Sequence, residues 1–389
     1  MNSSHEKQIK KSKHQNTKDE HNNYFDQLQL EIALDILSRL PITSLIQFSF
    51  VSRSLNSLSH HPNVANMHFS RNESSCLILH SDYPIQNQLH FLILSDEKIL
   101  KFNIPFANSM PEFSIIGSCN GLLCLINTLF PESISMYNPF TRDYLELPKN
   151  FGSQDQIVAY GFGFNPVNND YKVIKISYYT YKFYHHLARH FRAFKFYHNK
   201  QVSEVQIYSL SSNSWENKGV LAYRLEQWSS PGVLVNTRLH WVITYPDSNP
   251  GRPSGKWMSC HLTALDGCLC AAVPQPPGHG AFNIWVMKEY GVNESWTKDY
   301  SIGVYYPVSM ISHQRERLRH IWRNMFGRKL VRVLCVMKSG EVVLEYRGGG
   351  LVSYDPNNGS FKELTFHGMP KIYQTIVHVG SLKSAVSPL

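Results

Sequence analysis

The chain reads as an α+β protein in which a short three-helix domain precedes an all-β propeller of about six or seven blades. Three observations predict this. Apolar residues between Leu28 and Leu58 recur at three- and four-residue steps. After Cys76 the apolar period falls to two. Within that β part, one hairpin layout with an aromatic residue on each arm returns several times.

The helical part comes first. Leu30, Leu34, Leu37 and Leu40 form one stripe, Ile32 and Ile36 widen it, and Pro41 stops the helix. A second helix is expected to begin after Thr43 or Ser44, either of which can cap it, and to carry Leu45, Phe48 and Val51. A third holds Leu55 and Leu58 and ends at the His60, His61, Pro62 break. So small a unit lies below the size at which a lone core is usually stable. Its apolar residues also fall on more than one face of each helix, which predicts a second surface to cover them. Residues 1–23 are polar and aperiodic and read as a disordered tail, residues 24–70 as the helical domain, and residues 71–389 as the propeller.

In the β part, "CLILH", "LHFLIL", "GLLCLI", "YKVIKISYY", "EVQIYSL" and "VRVLCVMKSGEVVLEY" alternate and are separated by Gly, Pro, Asn and Ser turns. The repeat decides the architecture. In "MYNPFTRDYLELP", "IYSLSSNSWENKG" and "SYDPNNGSFKELT", Tyr137, Tyr208 and Tyr354 are each followed seven residues later by Tyr144, Trp215 and Phe361. A weaker version places Trp285 and Trp296 further apart. Each unit is a hairpin whose aromatics pack across neighbouring sheets, and radial repetition of such units makes a propeller. The final "IYQTIVHVGSL" is expected to pair with "SSCLILHS" and close the ring, which removes an exposed sheet edge.

Composition narrows the function classes. With 42% hydrophobic and 17% charged residues among 389, the chain is of globular type. It has no apolar run of roughly 20 residues that would span a bilayer, and its first residues lack the apolar core of a secretory signal. The expected location is the cytoplasm, the nucleus or both, with no membrane partner. Seven cysteines without a CxxC pair support neither a disulfide framework nor a zinc site. A formal charge of +9 raises nucleic acid as a partner, yet the positive residues are spread out, and a solvated surface is the weightier reading.

No catalytic or metal constellation stands out, and no cofactor is expected. "GFGFNP" lies between strand patterns without a following helix, so it is not a nucleotide-binding loop. His186 and His190 are four apart but lack an HExxH motif. Cys268 and Cys270 share a strand face as core thiols do, and Cys260 beside His261 is sequence adjacency only. Two segments exceed ordinary hairpin loops: Tyr178 to Gln201 and the Arg-rich stretch from His313 to Arg332. Aromatic and Arg residues are enriched in interface hot spots, which makes Tyr181, Phe183, Arg189, Phe191, Arg192, Arg319, Trp322 and Arg323 candidate target-binding residues. The alternative for the first segment is a lengthened strand pair.

The stretch "LQLEIALDILSRLPITSLIQFSFVSRSLNSL", with "HPNVANMHF" after it, resembles an F-box, the adaptor-binding module of SCF ubiquitin ligases. The remainder, with "GSCNGLLCLIN", "YNPFTRDYLELP", "VAYGFGFNPVNNDYKVIKI" and "GLVSYDPNNGSFKEL" in order, resembles the plant F-box-associated, kelch-like interaction domain. The resemblance implies a noncatalytic substrate receptor; the alternatives are a propeller-based small-molecule sensor or enzyme, or a binding module without ligase function. The receptor's helices would interlock with an SKP-type adaptor, which joins cullin and RING subunits, while the propeller holds a target protein for ubiquitination. It places adaptor contacts at Leu28, Ile32, Ile36, Leu37, Leu40, Pro41, Leu45, Val51 and Leu55. Two positions depart from the family pattern: Gln29 stands where Pro is usual, and Leu55 where Trp is frequent.

Overall fold

The computed structural model describes residues 28–59, 61–71, 76–83, 87–94, 97–102, 104–150, 157–184, 197–221, 224–225, 231–244, 260–275, 281–308, 331–346 and 350–382. The N-terminal tail lies outside them. Four helices come first: α1 (Leu30–Ser38), α2 (Ile42–Ser49), α3 (Arg53–Ser59) and α4 (Pro62–Arg71).

The count and the caps correct the sequence reading. Pro41 is not a stop at the end of α1, which ends at Ser38; it is the extended residue before α2, at φ −55 and ψ 145. Its carbonyl accepts the amides of Ser44 and Leu45, so Thr43 and Ser44 lie inside the helix and cap nothing. Ser52 caps α3 by accepting the Leu55 amide at 3.1 Å. Pro62 marks a break but also opens a fourth helix, because a proline at the first helical position gives up only an amide that would have had no partner.

The strands are β1 (Cys76–Tyr83), β2 (Gln88–Ile93), β3 (Lys98–Phe102), β4 (Phe113–Cys119), β5 (Leu122–Asn127), β6 (Ile134–Tyr137), β7 (Tyr144–Glu146), β8 (Ile157–Asn165), β9 (Asp170–Tyr184), β10 (Tyr197–Ser209), β11 (Ser214–Leu221), β12 (Arg224–Leu225), β13 (Val233–Val235), β14 (Arg238–His240), β15 (Ile243–Thr244), β16 (His261–Leu265), β17 (Cys268–Pro274), β18 (Phe282–Met287), β19 (Trp296–Ile302), β20 (Val331–Val336), β21 (Val342–Tyr346), β22 (Gly350–Asp355), β23 (Ser360–Leu364) and β24 (Ile372–His378). They make five antiparallel four-stranded blades, not six or seven, among the described residues. In order these are β24-β1-β2-β3, β4 to β7, β8 to β11, β16 to β19 and β20 to β23. Between the third and fourth blades stand two two-stranded ladders, β12-β15 and β13-β14. Dividing chain length by blade length overcounts because this arc is spent on short pairs.

The innermost strands form a ring. β24 lies beside β4, β4 beside β8, β8 beside β13, β13 beside β16, β16 beside β20, and β20 beside β24. Closure is the expected one: β24 pairs with β1, Leu77 opposite Val377 and Leu79 opposite Thr375. The repeated aromatics are direct cross-strand partners, Tyr137 opposite Tyr144, Tyr208 opposite Trp215 and Tyr354 opposite Phe361. In the fourth blade Trp296 faces Met287 and Trp285 faces Lys298, so the two tryptophans do not pair.

Gly161 and Gly163 owe their place in β8 to close packing by the short ladders. A Cβ at Gly161 would stand 2.6 Å from Trp241 Cζ2, and one at Gly163 2.9 Å from Leu234 Cδ1. The core runs from the helices into the ring without a break: Leu34, Leu37, Ile42, Leu45 and Val64 cluster with Phe91, Phe106, Tyr137, Phe140 and Leu382.

Candidate functional site

An apolar surface on the helical domain is the first candidate site. α1 turns Ala33, Leu34 and Leu37 inward and leaves Leu30, Ile32 and Ile36 outward, with Ile32 47% and Ile36 38% exposed, and Leu28 is exposed just before it. Ile32 and Ile36 are four residues apart and so share a helical face. At the α2–α3 corner Phe50 is 78% and Val51 71% exposed. Single exposed aliphatics are ordinary, whereas several large ones on one small domain are not.

The burial pattern sorts the predicted adaptor residues. Leu28, Ile32, Ile36, Pro41 and Val51 are exposed. Leu37, Leu45 and Leu55 are buried in the chain's own core, and Leu40 packs partly buried against it. Leu30 and Phe50 are exposed apolar residues outside the predicted set. Leu30 shares its helical stripe with the buried Leu34 and Leu37, so nothing in the spacing marks it as exposed.

The two departures from the family pattern sit quietly. Gln29 has φ −58, a value proline would also take, and its carbonyl accepts the Ile32 and Ala33 amides at 3.0 Å. Leu55 is buried within the helical domain.

Charged groups hold the helices together. Asp35 accepts from Arg39 at 3.0 Å and from Arg71 at 2.7 Å, which ties α1 to α4. The hydrogen bonds from Arg39 and Arg71 hold its carboxyl below the usual range. His68, on α4, reaches the Leu40 carbonyl with Nε2 at 3.0 Å, and burial lowers its pKa. A cleft of about 1210 Å³ opens beside the α1–α2 corner and the ring; Arg39, Ile93, Cys335, Met337 and Lys338 are among the residues that line it.

The propeller places the second set of predicted residues unevenly. Tyr181 and Phe183 stand in β9, opposite Lys200 and His198 of β10. Arg189, Phe191, Arg192, Arg319, Trp322 and Arg323 lie outside the described residues, as do His186 and His190. The long segment is a strand pair at its base: β9 and β10 run on together past the end of β8, which stops at Ile157 opposite Tyr178.

Among the described residues, no group of three or more His, Cys, Asp or Glu side chains is placed to hold a metal. Burial pushes the Cys270 and Cys335 thiols up to about 12, so neither is a thiolate at neutral pH. No helix among the described residues is long and apolar enough to cross a membrane.

A four-helix module with exposed apolar residues, fused to a closed β-propeller, defines the class. Comparison with known families agrees. Residues 25–66 match the F-box domain, and residues 66–384 match the F-box associated beta propeller domain. The chain belongs to the F-box proteins that carry this propeller. It is 42% identical to the F-box protein At3g07870 of Arabidopsis thaliana, over 94% of this chain and 93% of the relative. It is 23% identical to the F-box protein CPR1 of the same plant, over 91% and 88%. The F-box/kelch-repeat protein At3g23880 is 25% identical over 93% and 96%. Among solved structures, an acylaminoacyl peptidase bound to a chloromethyl ketone aligns at TM-score 0.33 and 7% identity over 72% of this chain and 48% of that chain, too slight a likeness to carry an argument.

Proposed function

We propose that the protein is the substrate-recognition subunit of an SCF ubiquitin ligase. The F-box binds an SKP-type adaptor, through which cullin and RING subunits are joined, and the propeller holds a target protein. The observation that carries this reading is the exposure of the large apolar residues Leu28, Leu30, Ile32, Ile36, Phe50 and Val51 on so small a helical domain. Covering such side chains is worth roughly 1.5 to 3 kcal/mol each before the cost of association. Leu37, Leu45 and Leu55 then act from within, by holding the helices at the angles that present these residues.

The chemistry belongs to other subunits. The receptor's part is proximity, since holding a target lysine near a charged conjugating enzyme makes a bimolecular encounter effectively unimolecular. No side chain of this protein needs to touch the reacting thioester.

The test is capture of a purified SKP-type adaptor by the full chain beside an Ile32→Asp, Ile36→Asp variant. Two charges on the apolar face should abolish capture while the thermal unfolding curve stays unchanged, because both residues are exposed. Equal capture by both proteins would sink the assignment of this face. A reconstituted ligase that fails to ubiquitinate any bound protein would sink the ligase reading.

A further inference from the structure

The helices pack off-centre on the propeller. Leu37, Ile42 and Leu45 join a core with Phe91 of the first blade and Phe140 of the second, and among the described residues this core takes none from the fourth or fifth blade. On that side the cleft of about 1210 Å³ remains. One wall is the α1–α2 corner with α4; the other comes from three blades. The first blade supplies Ile93 and Leu94, the β16–β17 turn of the fourth supplies Asp266, and the fifth supplies Val336, Met337 and Lys338.

Hydrogen bonds within the chain hold both walls. Arg71, at the end of α4, donates to the Asp35 carboxylate at 2.7 Å and to the Asp35 carbonyl at 3.3 Å, and His68 Nε2 reaches the Leu40 carbonyl at 3.0 Å. In this way α4 grips the end of α1. Across the cleft, the β20–β21 turn is closed by the Met337 amide on the Glu341 carbonyl at 2.8 Å and the Gly340 amide on the Met337 carbonyl at 2.9 Å. Walls built before anything enters spare a ligand the cost of ordering them.

The lining is graded in polarity. Phe91 and Ile42 are buried, Ile93, Leu94, Val336 and Met337 are half-buried, and Arg39, Arg71 and Lys338 are exposed. Apolar groups therefore make the floor and cations the mouth. Asp266 is the one acidic residue of the lining among the described residues. Asp35 stands behind Arg39 and Arg71, so the three cations set against Asp35 and Asp266 leave one positive charge over. A guanidinium carries five N–H donors, and the bonds to Asp35 and Ser38 use only part of them.

We infer that this cleft is a binding site for a small amphipathic organic acid. Its carboxylate sits at the cationic mouth, and its aliphatic or aromatic body lies on Ile93, Leu94, Val336 and Met337. Pockets for molecules of that kind run to about 300–1,000 Å³, so the cleft has the room. A molecule seated there touches the F-box and the fifth blade at once, on the side where their core does not join them. It binds only the folded chain and so raises the melting temperature. The site stands apart from the receptor reading, because the purified chain alone tests it.

The experiment titrates the full chain with decanoate and with 4-phenylbutanoate, each beside its neutral amide, by calorimetry, and follows thermal unfolding in parallel. The expected result is saturable binding of an acid at one site, about tenfold weaker binding of its amide, and a raised melting temperature. Lys338→Glu changes an exposed turn residue, so it should weaken binding about tenfold while the melting curve of the free protein stays unchanged. Ser339→Trp, which places a ring at the mouth, should weaken binding as well. Phe50→Asp with Val51→Asp, outside the lining, should bind the acid as wild type does. Binding of neither acid, equal binding of acid and amide, indifference to Lys338→Glu, or loss of binding in the Phe50→Asp, Val51→Asp protein would each overturn the proposal. So would exclusion of the acid by a saturating SKP-type adaptor, which would make the cleft part of the adaptor interface.

Discussion

The Glu345 carboxylate on β21 accepts the backbone amide of Thr375 on β24 at 2.7 Å, which ties the fifth blade to the strand that closes the ring. Its other oxygen accepts from Arg332 Nη1, also at 2.7 Å. Burial raises the Glu345 pKa, and Arg332 and the Thr375 amide work against that rise. Glu345→Ala takes the acceptor from a buried amide and the counter-charge from Arg332, so it should cost about 3 to 5 kcal/mol. Glu345→Gln keeps an acceptor and should cost about 1 to 3 kcal/mol. Urea unfolding tests both, with the midpoint falling in that order at an unchanged slope.

Much of this architecture was legible in the residues. Seven-residue spacing of Tyr137 and Tyr144 implies a tight hairpin with the two rings opposite, and the register is the one observed. Ring closure was legible because two apolar strands at the chain's ends would otherwise each leave an edge. The blade count was not, since β12 to β15 are strands of two or three residues with no periodic signal. The start of α2 was misread because Thr and Ser are good caps in isolation, while Pro41 already supplies the extended residue the helix needs. On the F-box, composition announces surplus apolar residues, but the side each one takes depends on packing against Phe91 and Phe140, some 40 to 110 residues away.

Gly380 is the keystone of the seam between the F-box and the ring. A Cβ there would stand 2.9 Å from both Ile42 Cδ1 and Phe140 Cε2. Gly380→Val must push Ile42 of α2 or the buried Phe140 aside, and such overpacking costs typically about 1 to 3 kcal/mol. The loss should appear as a lower melting temperature for the whole chain. Ile42→Ala in the same background should recover part of it by making room, whereas additive losses would refute the contact.

Two buried histidines make stability depend on pH. Burial lowers the pKa of His80 to about 4 and that of His378 to about 3. Both lie below the ordinary value near 6.5, so between roughly pH 4 and 6.5 the unfolded chain binds more protons. Stability is then full above about pH 6.5 and falls as the pH drops. At pH 5 each histidine should withdraw about 2 kcal/mol relative to pH 7. Urea midpoints at the two pH values test this, and His378→Gln should remove about 2 kcal/mol of the difference. A midpoint that does not move between them would refute the burial of both rings.

The F-box prediction separates exposed from buried apolar residues. Phe50→Asp with Val51→Asp adds charge to a corner that the chain leaves open, so folding should be unaffected within about 0.5 kcal/mol. Leu37→Asp puts a carboxylate into the fully buried junction with the first blade, where an unpaired charge is costly enough to unfold the helical domain. Both variants should fail to capture an SKP-type adaptor, for different reasons. The first should keep the wild-type melting curve and the second should lose it. Full capture by the Phe50→Asp, Val51→Asp protein would confine the adaptor to the α1 face of Leu28, Ile32 and Ile36.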